Sequence, residues 1–264
     1  MKKLIILLLT ILIFSCKQEN KKIAVEQNLT LEKDKKESVI VDSAMVVSAK
    51  EEASKIGIQI LKKGGNAFDA MVATELALAV SFPVAGNIAG GGFMIYRTKE
   101  GEIGALDYRE KAPIRSSRNM YLDENGDFTS NKSKVGALAV GVPGTIAGIF
   151  AVHKKLGSLP IEQIIAPVIA LAVNGYLVTE QQAKRITYFK ESFLKTNNSE
   201  SLYTKEYKTG DTIKNIALAN TLKRISENGR SEFYQGETGK AMVHFLQSKN
   251  GIITMDDLNA YEAE

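Results

Sequence analysis

Few side chains in this 264-residue sequence have the type and spacing to do chemistry. The first is Arg109, which closes an alternating segment and is followed by Glu110. A planar guanidinium offers paired donors that match a carboxylate, which lysine cannot copy, so the chemistry open to Arg109 is capture of an acidic ligand group. Glu110 could orient it, although adjacent residues of a strand point to opposite sides. The run Gly90-Gly91-Gly92 could cradle a phosphate. A phosphate loop, however, follows a strand and opens a helix, whereas these glycines follow a helical pattern and precede a strand, so they read as a tight connection under close backbone contact. His153 and His244 both fall beside apolar helical positions and read as core-edge or surface residues. There is no H-E-x-x-H pattern, no G-x-S-x-G elbow and no cluster of His and Asp, so neither a metal nor any other cofactor is expected. The turn Asp123-Glu124-Asn125-Gly126-Asp127 has calcium-loop residue types, but the glycine and closing glutamate are out of register for an EF-hand.

The remaining reactive candidate is Cys16, the single cysteine of the chain. It follows Lys2, Lys3 and an apolar run of about eleven residues, 4–14, too short to span a bilayer and suited to the core of a signal peptide. Ser15-Cys16 resembles a bacterial lipobox, in which the cysteine is lipidated and becomes the mature N-terminus. Residues 1–15 are therefore expected to be a lipoprotein signal peptide. Residues 16–43 then form a charged tether, since 17–42 carry 12 charged residues of 26 with no Gly or Pro. The globular part is expected over 44–264. Losing Lys2 and Lys3 lowers the formal charge from +4 to +2, which gives no reason to expect a nucleic-acid partner.

Among the elements that must hold Arg109, residues 45–48 read as a short buried strand, giving a first strand near 45–49. Ala53, Ile56, Ile60 and Leu61 share one helical face, ended by Gly64-Gly65. Asn66 caps a second helix over 67–80, apolar nearly all round with Glu75 its lone internal charge, which must be central and is ended by Pro83. Residues 93–96 and 103–108 flank Lys99-Glu100-Gly101 and predict an antiparallel hairpin with Arg109 just past its far end. Helices are expected through Leu156, over 161–174 with a kink or new start at Pro167, after a Thr179/Gln182 capping box, and over 216–228 and 237–248. Residues 188–212 read as polar and irregular, with a turn at Gly210-Asp211, and a further segment begins at Thr254 and Asp257.

Taken in order, several stretches resemble the N-terminal part of the gamma-glutamyltransferases, also called glutathione hydrolases. They are residues 53–79 (ASKIGIQILKKGGNAFDAMVATELALA), 85–93 (AGNIAGGGF), 106–113 (LDYREKAP) and 120–126 (MYLDENG). The series continues with 139–148 (AVGVPGTIAG), 155–160 (KLGSLP), 219–228, 232–236 (EFYQG) and 251–261 (GIITMDDLNAY). One departure is Ala89, where the family usually has a fourth glycine. The resemblance implies an α+β fold, an Ntn-hydrolase αββα sandwich of which this chain is the large-subunit portion.

It further implies cleavage of the gamma-glutamyl amide of glutathione and other gamma-glutamyl compounds, with transfer to water or to amino-acid or dipeptide acceptors and no cofactor. The nucleophile would be the N-terminal threonine of a C-terminal small subunit, beyond Glu264, so no catalytic residue is expected in this chain. Arg109 matches the arginine that grips the substrate alpha-carboxylate, and Glu110 a neighbouring acid. Two alternatives stay open: a related acylase with another amide substrate, and a non-catalytic lipoprotein or truncated inactive product. The expected place is outside the cytoplasm, anchored to a membrane by lipid on Cys16, with Lys17 favouring an outer membrane.

Overall fold

The computed structural model describes residues 39–264, and Cys16 with residues 1–38 lies outside them. The first helix, α1 (Glu51–Lys62), has Glu51 and Glu52 in its first turn and Lys62 in its last, each complementing the helix dipole. It buries Ala53, Ile56 and Ile60 against α2 (Ala67–Ser81). The start of α2 is fixed by a reciprocal capping box: Asn66 Oδ1 accepts from the Phe68 and Asp69 amides while Asp69 receives the Asn66 amide. Val72, Ala73, Leu76, Ala77 and Val80 of α2 are buried, and each larger aliphatic among them contributes roughly 1.5–3 kcal/mol through burial. The helix is thus central, as its all-round apolar pattern requires.

The hairpin pairs β1 (Phe93–Arg97) with β2 (Ile103–Asp107) in antiparallel register, Phe93 opposite Asp107 and Ile95 opposite Ala105. Its tight turn places Gly101 at φ +94°, a conformation that disfavours any side chain. Met94 and Leu106 face the core, whereas Phe93, Ile95 and Ile103 on the other face are 63%, 84% and 78% exposed. That face is a bare apolar patch of the kind that marks an interaction surface.

After the hairpin come α3 (Thr145–Leu156), α4 (Ile161–Asn174) and α5 (Glu180–Asn197), then α6 (Ile216–Asn228), the short α7 (Arg230–Tyr234), α8 (Glu237–Ser248) and α9 (Met255–Ala260). Two residues before α5, β3 (Tyr176–Leu177) pairs antiparallel with β4 (Thr212–Ile213). Ile146, Ile149, Ile164, Ile165, Leu222, Ile225, Phe233, Tyr234 and Leu258 join the α2 residues in one core. The segment Ser43–Glu264 forms a single compact unit.

Two expectations need correction. Residues 45–49 are neither strand nor buried: Met45 and Val47 are exposed, among the described residues no strand pairs with them, and Val46 alone leans on the α1–α2 contact at Gly57. Residues 188–197, read as irregular, continue α5. Its capping box at Thr179 and Gln182 starts the helix, and the aromatic chain Tyr188, Phe189, Phe193 and Tyr203, with successive ring centroids 4.9, 6.5 and 6.2 Å apart, supports its second half. Of the kink or new start expected at Pro167, the new start does not occur: a single helix, α4, runs through it from Ile161 to Asn174. The class is α+β. Of the two stacked sheets in the expected sandwich, the described residues form the β1–β2 hairpin and the two-residue β3–β4 pair, with helices as the bulk.

Candidate functional site around Arg109

Past β2 the chain keeps its ladder for one more step, Tyr108 donating its amide to the Gly92 carbonyl at 3.0 Å, and then turns to pair Lys111 with Val142. Alternation along the strand sends Tyr108 inward with Leu106, and it is 4% exposed. Three glycines make that burial possible. A Cβ on Gly91 would lie 2.5 Å from the Tyr108 carbonyl oxygen and 2.8 Å from the Arg109 Cα. One on Gly144 would collide with the Tyr108 carbonyl and the Tyr261 hydroxyl, and one on Gly148 with the Tyr108 ring. The Gly90 carbonyl also accepts the Gly144 and Thr145 amides at 2.7 and 2.9 Å. The glycine run is therefore the floor on which the Arg109 segment lies.

Arg109 itself is held by its backbone and displayed by its side chain. Its amide donates to Asp107 Oδ1 at 2.8 Å, and its carbonyl accepts the Tyr261 hydroxyl at 2.7 Å. The Tyr261 ring is stacked on Tyr234, at 5.8 Å and 12°, and Tyr234 in turn bonds to the Pro143 carbonyl and the Ala147 amide. The Arg109 side chain is 60% exposed, its Nε 3.5 Å from Glu110 Oε2 and its Cζ 5.3 Å from the Phe93 ring centroid. An ion pair so long and exposed is worth under about 1 kcal/mol, so the guanidinium's donors remain available to a ligand carboxylate. The two neighbours do meet, in spite of the strand rule, because residue 109 has already left the ladder.

Glu110, and not Arg109, lines a cleft of about 680 Å³ between α2, residues 44–49 and the 85–91 turn. Its other charged residue is Glu75, whose carboxylate accepts the Tyr108 hydroxyl at 3.1 Å. Burial raises the Glu75 carboxyl from 4.5 to about 7, and the hydrogen bond from Tyr108 opposes part of that rise. Burial, with Glu75 nearby, pushes the Tyr108 hydroxyl far above its usual range.

The other candidates stand apart. His153 Nε2 is 2.8 Å from the Leu159 carbonyl and ties α3 to the loop after it, while His244 is exposed on α8. Asp123 caps its own turn through the Asn125 and Asp127 amides. Among the described residues no group of His, Cys, Asp and Glu is placed to hold a metal ion. Sequence reasoning missed Tyr108, Tyr261 and Glu75 as a support. Signals for two of them existed: period-two alternation puts Tyr108 on the core side, and a lone carboxylate in an all-apolar helix requires a partner.

The gamma-glutamyltranspeptidase family model matches residues 53–264. The chain belongs to that family. Its relatives include the glutathione hydrolase proenzyme of Escherichia coli K12, 41% identical over 237 residues, a match covering 88% of this chain and 41% of that protein. The gamma-glutamyltranspeptidase of Helicobacter pylori superimposes with a TM-score of 0.82 at 40% identity, over 86% of this chain and 66% of that one. The enzyme of Pseudomonas nitroreducens does so with a TM-score of 0.80 at 41% identity, over 85% and 67%. As a gamma-glutamyltranspeptidase family member, the chain spans about two fifths of the length of the curated relatives it matches.

Proposed function

We propose that this chain is the N-terminal, large-subunit part of an enzyme that cleaves the gamma-glutamyl amide of glutathione and related compounds, and that Arg109 binds the substrate alpha-carboxylate. The observation that carries the reading is the posture of Arg109: a rigidly held backbone, an outward guanidinium and only a long, exposed ion pair to Glu110. Support also comes from the glutathione hydrolase relatives, of which this chain covers about two fifths. In this reading a threonine beyond residue 264, N-terminal in a small subunit, attacks the gamma-carbonyl through its hydroxyl. Its own alpha-amine takes the proton and returns it to the leaving amine. The gamma-glutamyl ester that forms is resolved by water or by an amino-acid or dipeptide acceptor.

Release of chromophore from a gamma-glutamyl anilide by the full-length gene product tests the reading. Arg109→Gln should raise KM by about 30-fold or more, since losing a charge-assisted contact costs about 2–5 kcal/mol. An unchanged KM would refute carboxylate capture. Arg109 also favours this substrate class over the acylase alternative, whose substrates need no such carboxylate. A stop codon directly after residue 264 in the gene would support the truncated, non-catalytic reading instead.

We also propose lipid attachment at Cys16, on the basis of the leader and lipobox pattern. Among the described residues no helix is long and apolar enough to cross a membrane. Metabolic labelling with a radioactive fatty acid should mark the wild type and not Cys16→Ala, and label on the variant would sink the assignment.

A further inference from the structure

Arg109 can grip a ligand only from a fixed base, and that base hangs on one neighbour. Tyr108 is the residue before it, is buried, and spans from the β2 exit to the central helix α2, where its hydroxyl meets Glu75 at 3.1 Å. Gly92 and Gly148 lie against its ring while Gly91 and Gly144 close on its carbonyl oxygen, so ring and backbone are both confined and the hydroxyl contact is the adjustable part of the support. On the opposite side the Tyr261 hydroxyl holds the Arg109 carbonyl, at the far end of a stack already fixed by Tyr234.

We propose that Tyr108 is a positioning residue for Arg109, and that Glu75, at the other end of its hydrogen bond, makes that positioning respond to protonation. The inference rests on the carboxylate-capture reading of Arg109. The physical basis is the strength of the Tyr108–Glu75 bond in its two states. An ionised carboxylate accepts a charge-assisted bond, roughly twice as strong as that to a neutral carboxyl. In the ionised state the Arg109 segment is pulled against α2, and in the neutral state it is held more loosely. The titration falls in the physiological range because burial brings the Glu75 carboxyl to about 7. Of the residues lining the cleft only Glu75 and Glu110 carry charge, those from residues 44–49, α1, the 85–91 turn and α3 being neutral.

The full-length gene product tests this with a gamma-glutamyl anilide, reading KM and kcat separately on both sides of the Glu75 titration. Wild-type KM should fall about threefold to tenfold as pH rises through it, as the competent population of Arg109 grows. Glu75→Gln keeps an acceptor oxygen for Tyr108 but cannot ionise, so its KM should stay at the acid-side value and lose this step. Tyr108→Phe should raise KM at alkaline pH to a similar level with kcat within about twofold of wild type. Titration of the substrate or the nucleophile is common to all three proteins and cancels in their ratios. If both variants, folded by circular dichroism, retain the wild-type curve of KM against pH, the inference is overturned. Should Tyr108→Phe fail to fold, the Glu75→Gln curve decides alone. Arg109→Gln separates the two layers: no change in its KM removes the capture reading, whereas a raised KM beside unaltered Glu75 and Tyr108 variants removes only the role given to this pair.

Discussion

Replacing Glu75 by glutamine should stabilise the protein at alkaline pH and leave it nearly unchanged in acid. The carboxyl titrates at 4.5 in an open chain and at about 7 in the cleft, because burial disfavours its charge more than the Tyr108 hydroxyl favours it. Between those values the unfolded chain has released its proton while the folded chain still holds it. The contribution is therefore complete below the lower value and is lost as pH rises through the upper one. At roughly 1.4 kcal/mol per pH unit, the wild type gives up about 3 kcal/mol across that window. Glutamine offers the same acceptor to Tyr108 and never charges, so the variant gives up nothing there. Urea unfolding at about pH 5 should put the two proteins within about 1 kcal/mol, and at about pH 8 the variant should lead by up to about 3 kcal/mol. With a slope of about 2–3 kcal/mol per molar urea, that lead is about 1 M in midpoint. All other titrating groups are shared, so only the difference between the two curves matters. Parallel curves, or a variant less stable at the higher pH, would show that Glu75 is solvated or ionised in the folded protein and that the burial argument is wrong.

Gly148→Ala places a methyl group in the Tyr108 ring and should cost at least about 1–3 kcal/mol, read as a lowered Tm, with KM rising as Arg109 is displaced. A variant of wild-type stability and KM would mean that the ring moves aside freely. Asp69→Ala removes the carboxylate that receives the Asn66 amide and the Ser158 amide and hydroxyl, joining the start of α2 to the loop after α3. Charge-assisted bonds to a fully buried carboxylate predict a loss of about 2–4 kcal/mol in urea unfolding, and less than about 1 kcal/mol would show that water replaces them.

The legible parts of this molecule are those whose cause is local. The Asn66 and Asp69 pair announces α2 within four residues, and Lys99-Glu100-Gly101 fixes the hairpin that ends beside Arg109. The errors arise where distant contacts override local composition. A run such as Met45-Val46-Val47 has strand-forming side chains, yet a strand exists only with a partner to pair with, and among the described residues it has none. Residues 188–197 look polar in sequence, yet Phe189 and Phe193, four apart, pack in tilted contacts toward Tyr203 and support α5. The candidate site divides in the same way. Arg109 is visible as a guanidinium in a recognisable segment, but what makes it useful is not in that segment. Its carbonyl is held by Tyr261, 152 residues on, and the ring beside it by Glu75, 33 residues back. A sequence can say that a lone glutamate in an apolar helix needs a donor and that an inward tyrosine needs an acceptor. Only the approach of α2, β2 and α3 across three glycines makes each the answer to the other. That convergence turns an exposed arginine into a fixed one, and a fixed arginine can discriminate a carboxylate by geometry as well as by charge.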